Sequence, residues 1–214
     1  MKSLELPYID GLENMDTEQF ALAMEHGAAK DAVASAAWKE YPYKPDCWFS
    51  VARSRTHLAV EFRVRGLDLR SVELRDNGHS WEDSCCEFFI AHPSDGTYYN
   101  FEMTCAGFLL AAKRKSREDS ALLESSALKR VLRHASLSPE ARDIKGGIFS
   151  WSIAMLIPFD LIGMDGDDLP KVIRANFYKC GDMTATPHYV SWSPVGTPSP
   201  DFHRPEYFGE LVTK

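Results

Sequence analysis

His57-Leu58-Ala59-Val60-Glu61-Phe62-Arg63-Val64 is the stretch that decides the architecture. Successive residues of an extended chain point to opposite sides, so Leu58, Val60, Phe62 and Val64 share one face. His57, Ala59, Glu61 and Arg63 share the other. That pattern marks a strand with one face on a core and one toward water.

Working outward, the same period of two recurs in Thr97–Thr104 (TYYNFEMT), where Tyr99, Phe101 and Met103 alternate with Tyr98, Asn100 and Glu102. It returns in SWSIAMLIP (150–158) and KVIRANFYK (171–179). Shorter strands are expected at 3–8, 47–53, 72–75, 85–91, 108–112, 189–193 and 208–212. About ten strands with no helix-length crossover between them predict antiparallel sheets packed face to face. The expected fold is therefore an all-β antiparallel sandwich, immunoglobulin- or jelly-roll-like, with minor helical segments. Asp16 is placed to cap a short helix ending near Gly27, with Phe20 and Met24 on its buried side. The segment 118–133 reads equally as helix or strand, and Pro158–Gly163 as one tight turn.

At 214 residues the chain fits one large β unit, and residues 1–214 are read as a single domain. A hydrophobic share of 44% with 12% aromatics describes a packed core rather than a disordered chain. The net charge of −7 disfavours a polyanionic partner, so no nucleic acid is expected. The one basic cluster, Lys113-Arg114-Lys115-Ser116-Arg117, is followed at once by Glu118 and Asp119 and reads as a solvated hairpin end. No apolar run is long enough to cross a bilayer as a helix, so no membrane partner is expected. Met1–Glu5 is not followed by an apolar signal region, and the compartment is left open. Five cysteines, Cys47, Cys85, Cys86, Cys105 and Cys180, are odd in number and show no CxxC spacing. They are expected to be buried free thiols.

Two indoles, Trp81 and Trp192, stand in turn-rich segments, DNGHSWEDS and PHYVSWSPVG. Each has two readings, a core or rim aromatic and an exposed platform. Trp38 and Trp151 are assigned to the core, and Trp48 is undecided. Glu87, Asn100, Glu102, Arg174 and Asn176 fall on the outward side of their strands. A sugar ring has apolar C–H faces and a rim of hydroxyls, so flat aromatics and planar polar groups are what it needs.

WEDSCCEFFIAHPSDGTYYNFEMTCAG (81–107), FSWSIAMLIPFDLIG (149–163) and IRANFYKCGDMTATPHYVSWSPVGTPSPDFHRPEYFGELV (173–212) together resemble the family 9 carbohydrate-binding modules and their DOMON-like relatives. The likeness runs from about Trp38 to the C-terminus. It is strongest at Trp-x-Asp-Ser followed by Glu-Phe-Phe, and at the closing Phe-Gly-Glu-Leu. The resemblance implies non-catalytic binding of a mono- or oligosaccharide end between two tryptophans, Trp81 and Trp192, with Glu87 as a hydrogen-bonding glutamate. Asn100, Asn176 and His188 are the further candidate contacts, with Glu102 the weaker one. Asn100 and Cys86 depart from the family pattern, Cys86 standing where a polar ligand-binding residue is expected. A glycoside hydrolase partner and a role in polysaccharide breakdown are also implied.

Three other readings are carried forward. Glu87 and Glu102 form the acid and base of a glycosidase; Met103 with His188 or His203 ligates haem; or the acidic turn Gly163–Asp168 holds a structural calcium. The reading adopted has no catalytic residues, no metal ligands and no required cofactor.

Overall fold

The computed structural model describes residues 2–213. The alternating stretch 57–64 is the start of a longer strand, β4. In chain order the strands are β1 (Ser3–Glu5), β2 (Ala29–Ala32), β3 (Asp46–Arg53), β4 (His57–Ser71), β5 (Cys85–Ala91), β6 (Tyr98–Thr104) and β7 (Leu109–Arg114). They continue with β8 (Ser120–Leu122), β9 (Leu132–Ala135), β10 (Arg142–Pro158), β11 (Val172–Cys180), β12 (Tyr189–Ser191) and β13 (Gly209–Val212). Two helices, α1 (Thr17–Gly27) and α2 (Ser125–Leu128), complete the regular structure apart from short 3-10 turns.

The strands form two sheets. One runs β1-β13-β11-β5-β6-β7-β8, with β12 pairing β11; the other runs β2-β3-β4-β10-β9. All pairs are antiparallel except β1 with β13. The apolar faces meet as the alternation requires: Phe49 and Phe62 of the smaller sheet pack on Phe88, Phe101 and Phe177 of the larger. Phe49 and Phe177 stack with centroids 3.6 Å apart. The expected sandwich is what forms.

Helix α1 begins where the sequence places it. Asp16 accepts from the Gln19 amide at 2.9 Å while the Gln19 side chain accepts from Asp16 N–H, a reciprocal capping box. Phe20 and Met24 then close the outer side of the five-stranded sheet over Ala52, Ala59 and Leu156. The ambiguous segment 118–133 resolves into β8, α2 and the approach to β9. The turn after β10 is a 3-10 helix, Phe159–Ile162, ended by Gly163 at φ 71.

One expected strand does not form. Residues 72–75 leave the ladder because the buried carboxylate of Asp83 accepts from both Val72 N and Glu73 N at 2.8 Å, taking the donors a neighbouring strand would have used. The outward face of the larger sheet also differs from expectation: it is roofed rather than wet. Loops carrying Trp38, Val195, Phe202 and Phe208 lie on Phe89, Tyr98 and Tyr178 and make a second apolar layer.

Candidate functional site

The roof leaves one recess, a cavity of about 420 Å³ floored by β5, β6 and β11. Register sets its floor. Glu87 lies opposite Glu102 on one side and Tyr178 on the other, and Cys180 lies opposite Cys85. All point away from the sandwich core, since Phe88, Phe101 and Phe177 take the inner positions between them.

Glu102 is held by a short relay. Its Oε1 accepts from Asn100 Nδ2 at 2.8 Å, and Asn100 Oδ1 accepts from Arg114 Nε at 2.7 Å. Its second oxygen is buried without a hydrogen-bond partner among the described residues, and so is Oδ1 of Asp182, which lines the same cavity. Burial pushes Glu102 up to about 7 and Asp182 up to about 6. Glu87 is raised as well, by burial first and then by Glu102 across the ladder, while Cys180 Sγ donates to its Oε1 at 2.9 Å. The floor thus offers carboxyl groups able to donate as well as accept.

The walls are aromatic. Trp81 sits on the 3-10 turn Ser80–Glu82, stacked on His79 with centroids 4.7 Å apart. Its carbonyl accepts from Asp182 N at 3.1 Å, which ties the turn to the end of β11. Tyr41 and Tyr189, edge to face at 4.7 Å, and Phe202 line the cavity with it. Arg114, Arg117 and His203 complete the rim.

Of the seven expected site residues, three line the cavity: Trp81, Glu87 and Glu102. Asn100 is wholly buried and serves as the link between Glu102 and Arg114. The other three correct the sequence reading.

Trp192 is 1% exposed and belongs to the inter-sheet core. Its amide bonds to Phe177 O, which extends the β11 ladder and turns the indole inward, edge-on to Phe49 and Phe177. Nε1 donates to Asp31 at 2.7 Å, and only a glycine at 209 lets the ring lie so close: a Cβ there would be 2.3 Å from Cζ3. It is no platform. Asn176 does face outward, but the roof consumes it: Nδ2 donates to Ser193 O, and Oδ1 accepts from Ser193 N and Phe177 N.

His188 is 2% exposed. Its Nδ1 donates to Thr186 O and its Nε2 accepts from Lys179 Nζ at 2.8 Å, so it is a neutral ring held down to about 3 by burial and the ammonium. Cys86, expected at the site, faces the inter-sheet core one position out of phase; Cys85 and Cys180 are the thiols on the site's face.

The geometry gives the competing readings no support. Glu87 and Glu102 are direct cross-strand neighbours on one floor, Glu87 accepting from Cys180 and Glu102 from Asn100. Met103 lies in the inter-sheet core and His203 in the roof on the opposite face, with His188 committed to Lys179 and Thr186, so no axial pair converges. In the turn 163–168, Asp167 is bound by Arg55 at 2.7 Å and Asp165 Oδ1 accepts from Asp167 N. Two of the turn's carboxylates thus already have partners within the protein.

Sequence reading missed Arg114, Cys180, Asp182, Tyr41, Tyr189 and Phe202. Period-two counting carried along β7 and β11 finds Arg114 and Cys180 on the same face as Glu102. The loop aromatics leave no periodic signal.

Fold and site together define a class: a β-sandwich with an aromatic-walled, carboxyl-floored recess on one sheet, the arrangement of a small-ligand binding module. Residues 17–213 match the model of carbohydrate-binding family 9, and the chain belongs to that family. The crystal structure of a candidate carbohydrate-binding protein from Bacteroides uniformis ATCC 8492 is 34% identical, with a TM-score of 0.90 over 100% of this chain and 99% of that one. A family 9 module from Caldicellulosiruptor kristjanssonii in complex with glucose shares the fold at 12% identity and TM-score 0.57, covering 100% and 96% of the two chains. A structure of such a module from the same organism with cellotriose aligns at 13% and 0.53, covering 100% and 94%. No curated protein matches the chain.

Proposed function

We propose that this chain, acting as one unit over residues 1–214, binds the end of a mono- or oligosaccharide in the cavity without breaking a bond. The observation that carries the reading is the pairing of the Trp81 ring with two buried, unpartnered carboxyl oxygens, Glu102 Oε2 and Asp182 Oδ1, in one recess. An indole offers a face to the apolar side of a pyranose, and unpartnered acceptors favour a ligand that brings hydroxyl donors. Tyr41, Tyr189 and Phe202 take the part that a second tryptophan was expected to play. Neighbours solved with glucose and cellotriose support a glucose-type ligand as the first to try. Service beside a glycoside hydrolase in polysaccharide breakdown is the setting this reading implies.

Affinity from one stacking face and a few hydrogen bonds lies in the millimolar to micromolar range, about −4 to −8 kcal/mol. Calorimetry against a panel of mono- and disaccharides tests the proposal. Trp81→Ala is expected to weaken binding about tenfold or more, since loss of stacking costs about 1.4 kcal/mol. A panel with no binder, or an unchanged affinity in W81A, rejects the cavity as the sugar site.

A further inference from the structure

Below the aromatic walls, Cys85, Glu87 and Cys180 each present one donor atom, and the three atoms lie within 4.8 Å of one another. The arrangement follows from pairing. Cys85 and Cys180 are directly opposed on β5 and β11, and Glu87 is two residues along β5 on the same face. Opposed residues on one face are the closest neighbours a sheet offers.

We propose that these three side chains form a binding site for one thiophilic divalent cation of the zinc class. Tetrahedral zinc with sulfur at about 2.3 Å and oxygen at about 2.0 Å separates its donors by about 3.5–3.8 Å. The present contact from Cys180 Sγ to Glu87 Oε1 is 2.9 Å, a hydrogen bond that opens by well under 1 Å to admit the ion. Glu87 and Cys180 line the cavity while Cys85 is wholly buried behind them, so the ion has an entrance and its fourth position faces the recess. Two sulfurs and one carboxylate select zinc, cadmium or cobalt over calcium and magnesium, which take oxygen ligands.

The neighbouring cation does not compete. Lys179 points to the other face of β11, where its Nζ bonds to His188 and to the Cys180 carbonyl. Each thiol that binds gives its proton to solvent, M²⁺ + 2 RSH → M(SR)₂ + 2 H⁺, and any proton on Glu87 leaves likewise; no redox partner is required.

The site shares Glu87 and Cys180 with the cavity, but the proposal does not rest on the sugar reading and is tested without sugar. Reduced full-length protein is titrated with Co²⁺, read by thiolate-to-cobalt charge transfer and the visible bands of tetrahedral cobalt, then back-titrated with Zn²⁺. The expected result is one cobalt per chain, displaced by one zinc, with affinity at least about tenfold weaker in Cys85→Ser and Cys180→Ser. Glu87→Gln, which keeps the shape of the floor, is expected to weaken binding while leaving the charge-transfer band in place, and this answers for a serine variant that fails to fold. Cys105→Ser, on a thiol elsewhere in the core, leaves binding unchanged. Absence of the charge-transfer band in folded wild-type protein overturns the proposal. So does a band unchanged in intensity and in cobalt affinity in folded Cys85→Ser and Cys180→Ser proteins, or one that disappears in Cys86→Ser.

Discussion

At the scale of single residues, Trp81 and Trp192 are the same side chain put to opposite uses, and the difference lies in what precedes each on the backbone. Trp81 sits on a 3-10 turn with no ladder to fix its side, so its ring rests half-exposed against His79. Trp192 continues a strand, and period two drives it into the sandwich, where its polar N–H needs a buried-end acceptor. Asp31 supplies one, and also takes a hydrogen bond from Ala32 N and an ion pair from Lys2 at 2.9 Å. Burial alone would raise the Asp31 carboxyl; these partners outweigh it and hold the group below its ordinary value. Asp31→Ala is therefore expected to cost about 1–2 kcal/mol at neutral pH, mostly from the orphaned indole N–H, because the Lys2 pair is one-third exposed and screened. The sign follows from the depressed pKa. The carboxylate's contribution is whole above its unfolded value of about 3.9 and is lost as pH falls through the folded one. Urea melts of the two proteins should draw closer in acid as the charge-dependent part is lost, while the part due to the indole N–H remains; a gap that stays constant to pH 2 would show that the charge is irrelevant.

At the scale of elements, the hinge of the site is the segment between β4 and β5. Asp83 is 1% exposed, receives two backbone N–H groups from residues 72 and 73, and faces Arg70 at 3.2 Å. One carboxylate thereby ends β4's partnership and fixes the turn that carries Trp81. Asp83→Ala strands two donors and leaves the half-buried Arg70 guanidinium with Asp143 as its remaining carboxylate partner. The expected loss is about 2–4 kcal/mol, with weaker sugar binding in whatever folded fraction remains, since the Trp81 turn loses its anchor. Full stability in a thermal melt would refute this account of the turn. The same segment marks the boundary of what the sequence discloses. The strands at 57–64, 97–104, 150–158 and 171–179 were legible because alternation survives wherever one face is buried, and Glu87 and Glu102 were legible as outward residues of such strands. The failed strand at 72–75 has acceptable strand composition; what removes it is a carboxylate ten residues on, which no local pattern registers. Asn176 was misjudged for a related reason. Outward on a strand means solvent only if no loop returns to cover that face, and here residues 192–208 do return. Trp192 was misjudged for a different one: it continues the pairing with β11 and so faces the inter-sheet core.

At the scale of the whole molecule, that returning roof places titratable groups of opposite tendency in one fold. His188, buried, and His203, half-buried at the cavity rim, are held down to about 3, His203 by desolvation first and then by Arg114. Glu87 and Glu102 are raised, Glu102 to about 7. Between pH 4.5 and 6.5 the folded chain therefore binds fewer protons than the unfolded chain at these two histidines and more at the two glutamates and Asp182. The two slopes oppose each other. The opposed contributions partly offset each other across that window, and one substitution exposes the histidine part. His203 packs on Phe89 with centroids 5.0 Å apart and takes a hydrogen-bond contact from Tyr98 at 3.0 Å, so His203→Phe keeps the aromatic packing and removes the titration. At pH 7 the variant loses the Tyr98 contact, about 1 kcal/mol. As pH falls below 6.5 the wild type must pay to keep His203 neutral while the variant does not, and the difference moves in the variant's favour by about 1.4 kcal/mol per pH unit. Chemical denaturation at pH 7, 6, 5 and 4.5 reads this directly. A difference that does not change with pH would mean that His203 protonates as readily in the folded chain as in the unfolded one, and that water reaches the roof.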